Sequence, residues 1–518
     1  MGRSLAALTP SVAPEFSKPV QFLHPKTGRH YRIFRKPGEF LIEESFVDND
    51  RRVVYSDPRR VGYAIGSGNH ARSYLVERPG RLYQAPVAFF KQAGRWDMSP
   101  GYDTDDYVGF TRRVTANCLF CHAGRVNARN QAGDIFQTPG PFAETPIGCE
   151  RCHGPGKRHS AQPGGAIVNP AKLSPDLRDQ VCEQCHLFGA ARVAQPGKSP
   201  ADYRPGEPLG AYVAIYAYDA AAQEPTLTGH PREMKQSVCR RRSQGKLWCG
   251  SCHDVHSTAP AAESAASYRA KCLNCHARDA CSRKPDSSSV AHRENNCIAC
   301  HMPKRPVVES AHVTFTDHRI LRNPKADFGL PQSDGTRLRL ILPVEMDDPV
   351  VATRNLGFAY AELASSTGRR EHHRKAVETL QPLVGTSAAE AVFWQTLGEA
   401  QLASGETAQA EEAFRQAVAL DPGSASANYS LGYLFQLRGN APEAIQAYRR
   451  ALKADPYKAE ALGNLAAAYS KMGERDAAAK ALDEALRLEP GNLRWRAAQS
   501  AARIGIRKSG SAKQPQRQ

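Results

Sequence analysis

The pattern of apolar and polar positions divides the chain into three stretches. Between residues 20 and 110, short apolar and polar segments alternate and are interrupted by Gly and Pro, which predicts β-hairpins. Up to residue 345, Gly and Pro stay frequent and apolar residues are sparse. Residues 320–348 are predicted to form a connecting segment. From residue 349 onward Ala, Leu, Glu and Arg dominate, which favours helices.

The helical stretch repeats every 34 residues. Three prolines, each after an acidic residue, keep this spacing, and so do leucine, alanine and large side-chain positions. Small residues let paired helices approach, large ones fill the space between them, and proline ends every second helix. The pattern resembles the tetratricopeptide repeat, an all-helical solenoid, with a degenerate unit over 350–385. The equivalent positions are Pro422, Pro456 and Pro490; Leu397, Leu431 and Leu465; Ala410, Ala444 and Ala478; and Phe414, Tyr448 and Leu482.

Six copies of the pentapeptide Cys-x-x-Cys-His lie in the middle stretch. Each is the attachment sequence of a c-type haem, in which two thiols bond to the vinyl groups and the histidine supplies the proximal imidazole to iron. Zinc ribbons also pair cysteines, but they need no histidine directly after the second one. Cysteines at this spacing serve redox or metal chemistry more often than structural disulfides. We therefore predict six haem c groups, at Cys118-Cys121-His122, Cys149-Cys152-His153, Cys182-Cys185-His186, Cys249-Cys252-His253, Cys272-Cys275-His276 and Cys297-Cys300-His301.

Six porphyrins would supply the interior that apolar side chains cannot fill in this stretch. They also change the charge balance. The 518-residue polypeptide has a formal net charge of +17, and six oxidised haems, at roughly −1 each, would reduce it to about +11. Part of the basic excess is therefore predicted to neutralise propionates. No aromatic–basic motif indicates a nucleic-acid partner, and no run of eighteen apolar residues indicates a transmembrane segment.

Electron-transfer haems normally have both axial positions filled, so six further ligands are needed. His159 follows the proximal His153 by six residues, and His256 follows His253 by three, so each could reach a neighbouring iron. Met234 is a less favoured thioether candidate. Cys239 and Cys281 remain outside the motifs, either as a disulfide or as free thiols. The distal candidates are His159, His256, His318, His312, His70 and His24, with His230, His292 and His30 as weaker ones.

The chain resembles a family of exported multihaem cytochromes c with C-terminal tetratricopeptide repeats. Its haem part is similar to the tetrahaem-cytochrome and hydroxylamine-oxidoreductase superfamily. The stretches that carry the resemblance are Gly66-Ser67-Gly68-Asn69-His70, Met98-Ser99-Pro100-Gly101-Tyr102, Cys149-Glu150-Arg151-Cys152-His153-Gly154-Pro155-Gly156, Asn169-Pro170, Arg204-Pro205-Gly206-Glu207, Cys252-His253-Asp254-Val255-His256, Cys300-His301-Met302-Pro303-Lys304 and Thr316-Asp317-His318-Arg319-Ile320.

The resemblance implies a periplasmic or extracellular location. Residues 1–20 contain no apolar stretch of the length that an export signal needs. Members of this family begin with a signal and an earlier haem motif, followed by Met-x-Arg-Ser, and this chain opens with Met1-Gly2-Arg3-Ser4. The resemblance thus implies that Met1 is an internal methionine, with a signal and a seventh motif upstream, and that His24 serves that additional haem.

Together these patterns predict a mixed architecture. It has an N-terminal β-rich part of the cytochrome domain over 1–110 and a multihaem cytochrome c domain of short helices and loops over 111–345. An all-α tetratricopeptide-repeat domain follows over 349–502, with a basic disordered tail over 503–518.

The predicted function is electron transfer through the six haems, with no catalytic residues. The repeats would dock redox partner proteins, bind another protein or peptide, or direct assembly. The alternative is a multihaem oxidoreductase acting on a small nitrogen or sulfur compound, which needs one open distal position; no Cys-x-x-Cys-Lys motif is present. A third possibility is a scaffold in which the repeats dominate.

Overall fold

The structure of the protein is a computed structural model. It describes residues 3–66, 68–104, 109–129, 133–137, 139–162, 167–218, 229–257, 264–277, 296–307, 310–322, 337–342, 348–386 and 388–511. The chain forms two compact units. Unit 1 comprises Met1–Glu15, Val61–Asp103 and Arg113–Glu345, and unit 2 comprises Phe16–Arg60, Thr104–Arg112 and Met346–Gln518.

Strands are concentrated before residue 100, as the alternating pattern predicts. All the strand pairs described here are antiparallel. The strands are β1 (Leu5–Ala7), β2 (Val20–His24), β3 (Arg29–Lys36), β4 (Glu39–Val47), β5 (Val53–Ile65), β6 (Ala71–Arg78), β7 (Arg81–Gln84), β8 (Val87–Phe90), β9 (Arg95–Met98), β10 (Arg113–Val114), β11 (Arg125–Val126), β12 (Phe142–Glu144), β13 (Ala191–Ala194), β14 (Val213–Tyr218), β15 (Lys304–Val307), β16 (Ser310–Thr316) and β17 (Leu338–Leu340).

In unit 1, the end of β5 pairs with β1 and β6, and β6 leads through β7 to β10. Leu5, Leu75 and Leu82 come from three of these strands and pack in one core with Leu119 and Phe136, all of them 1% exposed or less. Leu119 directly follows Cys118 of the first Cys-x-x-Cys-His motif. The sheet therefore anchors the start of the motif region through ordinary apolar packing.

In unit 2, β2, β3 and β4 form a meander. Ile33 pairs with Val20 on one side and Ile42 on the other, and Ile33 and Ile42 are fully buried. The period-2 alternation thus places one face of the meander in a core. The prediction of a β-rich N-terminal part is confirmed.

The motif region of unit 1 contains short helices and small sheets. β14 pairs with β13 on one side and with β17 on the other, which gives a three-stranded sheet. The segment 320–348, predicted only to connect the two parts of the chain, therefore also contributes a strand. The helices are α1 (Ala116–Phe120), α2 (Glu150–His153), α3 (Lys157–Ala161), α4 (Pro175–His186), α5 (His230–Gln236), α6 (Val238–Arg242), α7 (Cys249–Cys252), α8 (Ala265–Leu273) and α9 (Cys297–His301).

The C-terminal part of unit 2 is a series of helix pairs. The side chains at the repeated small and large positions Ala410, Ala444, Phe414 and Tyr448 are all fully buried. Gly432 lets Tyr448 approach, since a Cβ at Gly432 would lie 2.8 Å from the tyrosine ring. The helices are α10 (Pro349–Thr367), α11 (Arg370–Leu380), α12 (Ala391–Ser404), α13 (Thr407–Leu420), α14 (Ala425–Leu437), α15 (Ala441–Ala454), α16 (Ala459–Lys471), α17 (Arg475–Leu488) and α18 (Leu493–Ser511).

Two sequence predictions concern the ends of this solenoid. The degenerate unit over 350–385 corresponds to the helix pair α10 and α11. The predicted tail over 503–518 begins within α18, and residues 512–518 lie outside the described part of the chain.

A buried polar network links the meander of unit 2 to its last repeat. Glu44 is fully buried and accepts hydrogen bonds from the hydroxyls of Tyr31 at 2.8 Å and Tyr55 at 2.7 Å. Arg29 donates to the Tyr55 hydroxyl and to the backbone oxygen of Gly491, both at 2.9 Å. Burial and the Glu44 carboxylate raise the pKa of both tyrosines, so both phenols remain donors. The network therefore satisfies a carboxylate that would otherwise be costly to bury.

Candidate functional site

All six Cys-x-x-Cys-His motifs lie in unit 1, on or beside short helices. Helical spacing places the two cysteines three residues apart on one face, with the histidine one turn from the first cysteine. The backbone hydrogen bonds show this directly. The N–H groups of His153, His253 and His276 donate to the carbonyl oxygen of the first cysteine of their own motif at 3.0, 2.9 and 3.0 Å.

The motifs adjoin one another. Cys185 is hydrogen-bonded to Cys121, and Cys182 to Cys249, so the third motif contacts the first and the fourth. Cys272 and Cys297 form a similar bond between the fifth and sixth motifs. The remaining links are electrostatic: Cys152 lies close enough to Cys182, and Cys252 to Cys272, to raise the pKa of the neighbouring thiol. All six motifs therefore belong to one connected cluster.

Three histidines outside the motifs lie next to motif histidines. His256 lies 6.0 Å from His153, centroid to centroid, with ring planes inclined by 19°. His318 lies 6.3 Å from His253 with an inclination of 28°. His230 lies 5.6 Å from His186.

Hydrogen bonds to backbone oxygens orient several of these imidazoles. Nδ1 of His153 donates to Val168 O at 2.8 Å, and Nδ1 of His301 donates to Leu321 O at 2.7 Å. Nδ1 of His318 donates to Thr316 O at 2.7 Å. A carbonyl only accepts, so each Nδ1 carries the proton and each Nε2 presents its lone pair.

Burial keeps other imidazoles of the cluster neutral. It lowers the pKa of His122 and His186. It lowers the pKa of His230 to about 2 and that of His318 to about 4, with further lowering by neighbouring histidines. Nδ1 of His230 is buried and has no hydrogen-bond partner among the described residues. These rings are thus in the neutral form that binds metal.

The other predicted distal ligands have different surroundings in unit 1. His312 Nε2 lies 2.9 Å from Asp97 Oδ2. His70 Nδ1 accepts from Gln92 Nε2 at 3.1 Å, and a charge on His70 lowers the pKa of His230. His159 is exposed on α3, and His276 of the fifth motif is also exposed.

His24 and His30 belong to unit 2, which contains none of the motifs. His24 is buried at the end of β2 with its Nδ1 2.8 Å from Thr27 Oγ1, and His30 is exposed on β3. His292 and Cys281 lie outside the described residues, so the possible bridge from the half-buried Cys239 stays a prediction.

Two arginines beside the motifs were not predicted from the sequence. Arg151 and Arg192 stack on the Phe120 ring, with their guanidinium carbons 4.4 and 5.3 Å from its centroid. The hydrogen bond with Cys185 lowers the pKa of the Cys121 thiol, and the two arginines lower it further. Arg151 directly precedes Cys152, which is the only local signal that could have indicated it. Both cations lie beside the first and third motifs.

The residues present fit a c-type haem. Each motif supplies two thiols on one helical face, and the neighbouring imidazoles are neutral, with several Nε2 atoms available. Within the described ranges, no group of three or more His, Cys, Asp or Glu side chains has the arrangement that would hold a bare metal ion.

Comparison with known proteins identifies the C-terminal part. Residues 396–459 and 435–502 match models of the tetratricopeptide repeat, so residues 396–502 are tetratricopeptide repeats. No curated protein matches the chain. In the described part of the chain, no helix has the length and apolar character needed to cross a membrane.

Three solved structures are similar to part of the chain. A crystal structure of MamA is 27% identical, covers 28% of this chain and 81% of its own, and has a TM-score of 0.25. YrrB, described as a tetratricopeptide-repeat protein with an unusual peptide-binding site, is 19% identical. The match covers 29% of this chain and 75% of YrrB, with a TM-score of 0.27. A thermophilic tetratricopeptide-repeat protein of Thermus thermophilus is 20% identical. The match covers 29% of this chain and 91% of the Thermus protein, with a TM-score of 0.23.

Proposed function

We propose that the protein is an exported multihaem c-type cytochrome that transfers electrons through six covalently bound haems. Its tetratricopeptide repeats dock a protein partner. Because covalent haem attachment takes place outside the cytoplasm, the location is periplasmic or extracellular.

The spacing of the histidine pairs carries this proposal. Bonds from a metal ion to imidazole nitrogen are about 2 Å long. Two rings that bind one ion from opposite sides therefore have centroids roughly 6 Å apart. The pairs His153–His256, His253–His318 and His186–His230 have separations of 6.0, 6.3 and 5.6 Å.

These pairs favour a carrier over a catalyst. A six-coordinate iron with two histidines has no open position for a substrate, whereas reductases and oxidases of small molecules need one. His256, His318 and His230 would supply the second imidazole to haems bound at the second, fourth and third motifs. The backbone hydrogen bonds at Nδ1 of His153 and His318 hold the rings in the required tautomer.

The clustering of the motifs supports electron transfer between sites. Haem, when bound, supplies reversible one-electron chemistry at iron. The protein contributes the spacing: Cys182 and Cys185 of the third motif contact Cys249 and Cys121 of two others. Electron tunnelling requires such close centres, and no step needs a side chain to change its covalent state.

Arg151 and Arg192 would hold propionates in this arrangement. Both guanidinium groups lie beside the first and third motifs, and arginine binds carboxylates in bidentate geometry. The +17 charge of the polypeptide is consistent with several such contacts.

The decisive experiment is maturation of the protein, fused to an export signal, in a bacterial host with a cytochrome c assembly system. We expect a Soret band and an intact mass that exceeds the polypeptide mass by six haems. Replacing Cys249 and Cys252 with alanine should remove one haem and leave five. A colourless protein with the polypeptide mass would rule out the proposal.

A further inference from the structure

A strongly basic segment precedes the fourth motif. Between Glu233 and Asp254 the sequence contains no acidic residue and five Lys or Arg residues. Two of the five are paired: Lys235 with Glu183, and Arg240 with Asp179, both at 2.5 Å. The remaining three are Arg241, Arg242 and Lys246, all of them exposed.

These three cations have no acidic neighbour among the residues that the structure describes. Within the described part of the chain, none of them forms an ion pair with an acidic side chain. Arg241 and Arg242 line a shallow depression of about 360 Å³ together with Val238, which is 46% exposed. Arginine is enriched at protein–protein interfaces, and exposed guanidinium groups without an acidic neighbour can pair with the carboxylates of another protein.

The depression is held firmly next to the motifs. Arg240 donates to the backbone oxygens of Gly245 at 3.0 Å and Leu247 at 2.6 Å. These bonds fix the turn between α6 and Cys249. On the same helix, Cys239 lies within electrostatic range of Cys252 and Cys272, which belong to the fourth and fifth motifs.

We propose that the depression formed by Val238, Arg241 and Arg242 is the docking site of an acidic electron-transfer partner, a role that rests on the proposed function. Carboxylates of the partner would pair with the two guanidinium groups, and Val238 would contact an apolar side chain between them. The partner would then be seated beside the fourth and fifth motifs. Complementary charge of this kind accelerates encounter and fixes orientation.

The test uses the reduced holoprotein and two small oxidants of opposite charge, ferricyanide and hexaammineruthenium(III). The variant is Arg241→Glu with Arg242→Glu. At low ionic strength we expect the rate with ferricyanide to fall about tenfold, and the rate with hexaammineruthenium(III) to stay the same or rise. At high salt the ferricyanide difference should disappear, because the charges are screened. A fluorescent 20-residue polyglutamate peptide should bind the wild type, and bind the variant at least fivefold more weakly.

Arg35→Glu with Lys36→Glu is the matched control. These neighbouring cations are exposed on β3 in unit 2, and the change in net charge is identical. If both double variants lower the rate and the peptide affinity equally, net charge alone is responsible and the docking site is wrong. If neither variant changes them, the docking site is equally wrong, while an unchanged Soret band and six-haem mass leave the electron-transfer proposal intact.

Discussion

His256 lies 6.0 Å from His153, although it follows the proximal histidine of a different motif by only three residues. The turn between them is fixed, because Asp254 Oδ1 accepts the N–H of His256 at 3.1 Å. A single pentapeptide, residues 252–256, thus presents one imidazole to the fourth motif and one to the second. Five residues therefore link the positions of two proposed haem sites.

Replacing His256 with methionine should raise the reduction potential of one haem. Methionine in place of histidine stabilises the ferrous state, and we expect a shift on the order of 100 mV, within the range of about 0.8 V that axial ligands span. Spectroelectrochemical titration of the holoprotein measures the shift. His30→Met, at an exposed position of unit 2, should leave every potential unchanged; an unchanged titration of His256→Met would contradict the assignment.

Replacing His230 with alanine should open one iron. The His230 ring lies 5.6 Å from that of His186, centroid to centroid, so its loss would leave a haem at the third motif with one protein ligand. EPR should show a new high-spin signal for about one haem in six, and it should shift when cyanide is added. His312→Ala is the control, since that imidazole contacts Asp97. Low-spin spectra from both variants would refute the pairing of His230 with His186.

Replacing Glu44 with alanine should strongly destabilise unit 2. The change leaves Arg29 buried without its carboxylate and removes the acceptor of two tyrosine hydroxyls. Breaking a buried ion pair from one side costs about 3–5 kcal/mol. Urea denaturation followed by circular dichroism measures the free energy of unfolding. Glu43→Ala, which removes a partner of the half-exposed Arg32, should cost about 1 kcal/mol or less.

Replacing Gly432 with alanine should loosen the packing of α14 on α15. The new methyl group would lie 2.8 Å from the Tyr448 ring, which is fully buried and has little room to move. Overpacking of this kind costs about 1–3 kcal/mol. Gly423→Ala is the control, since its added Cβ would have an ordinary 3.4 Å contact. Equal unfolding midpoints for both variants would show that the interface can expand.

Local periodicity accounts for what could be predicted from the sequence. The spacing of 34 residues identified Ala410, Ala444 and Tyr448 as core positions, because the buried side chains of one repeat recur at the same positions of the next. The alternation around Ile33 and Ile42 likewise predicted β-hairpins, and both side chains are fully buried. In both cases the residues that determine the element are close together in sequence.

Contacts between residues that are far apart in the sequence could not be predicted. The sequence places His230 among the weaker distal candidates, whereas the fold brings its ring within 5.6 Å of the His186 ring. The strand pairing of β17 with β14 was unpredictable for the same reason. The sequence assigned residues 1–110 to the cytochrome part as a whole, yet Phe16–Arg60 clusters with the repeats.

The hydrogen bond from Arg29 to the Gly491 carbonyl matters for the design of recombinant fragments. A recombinant fragment that started at residue 349 would lack the meander and leave the carbonyl of Gly491 without its guanidinium donor. A fragment that keeps the whole of unit 2 therefore has three non-contiguous parts, 16–60, 104–112 and 346–518, and joining them by linkers is the way to obtain it.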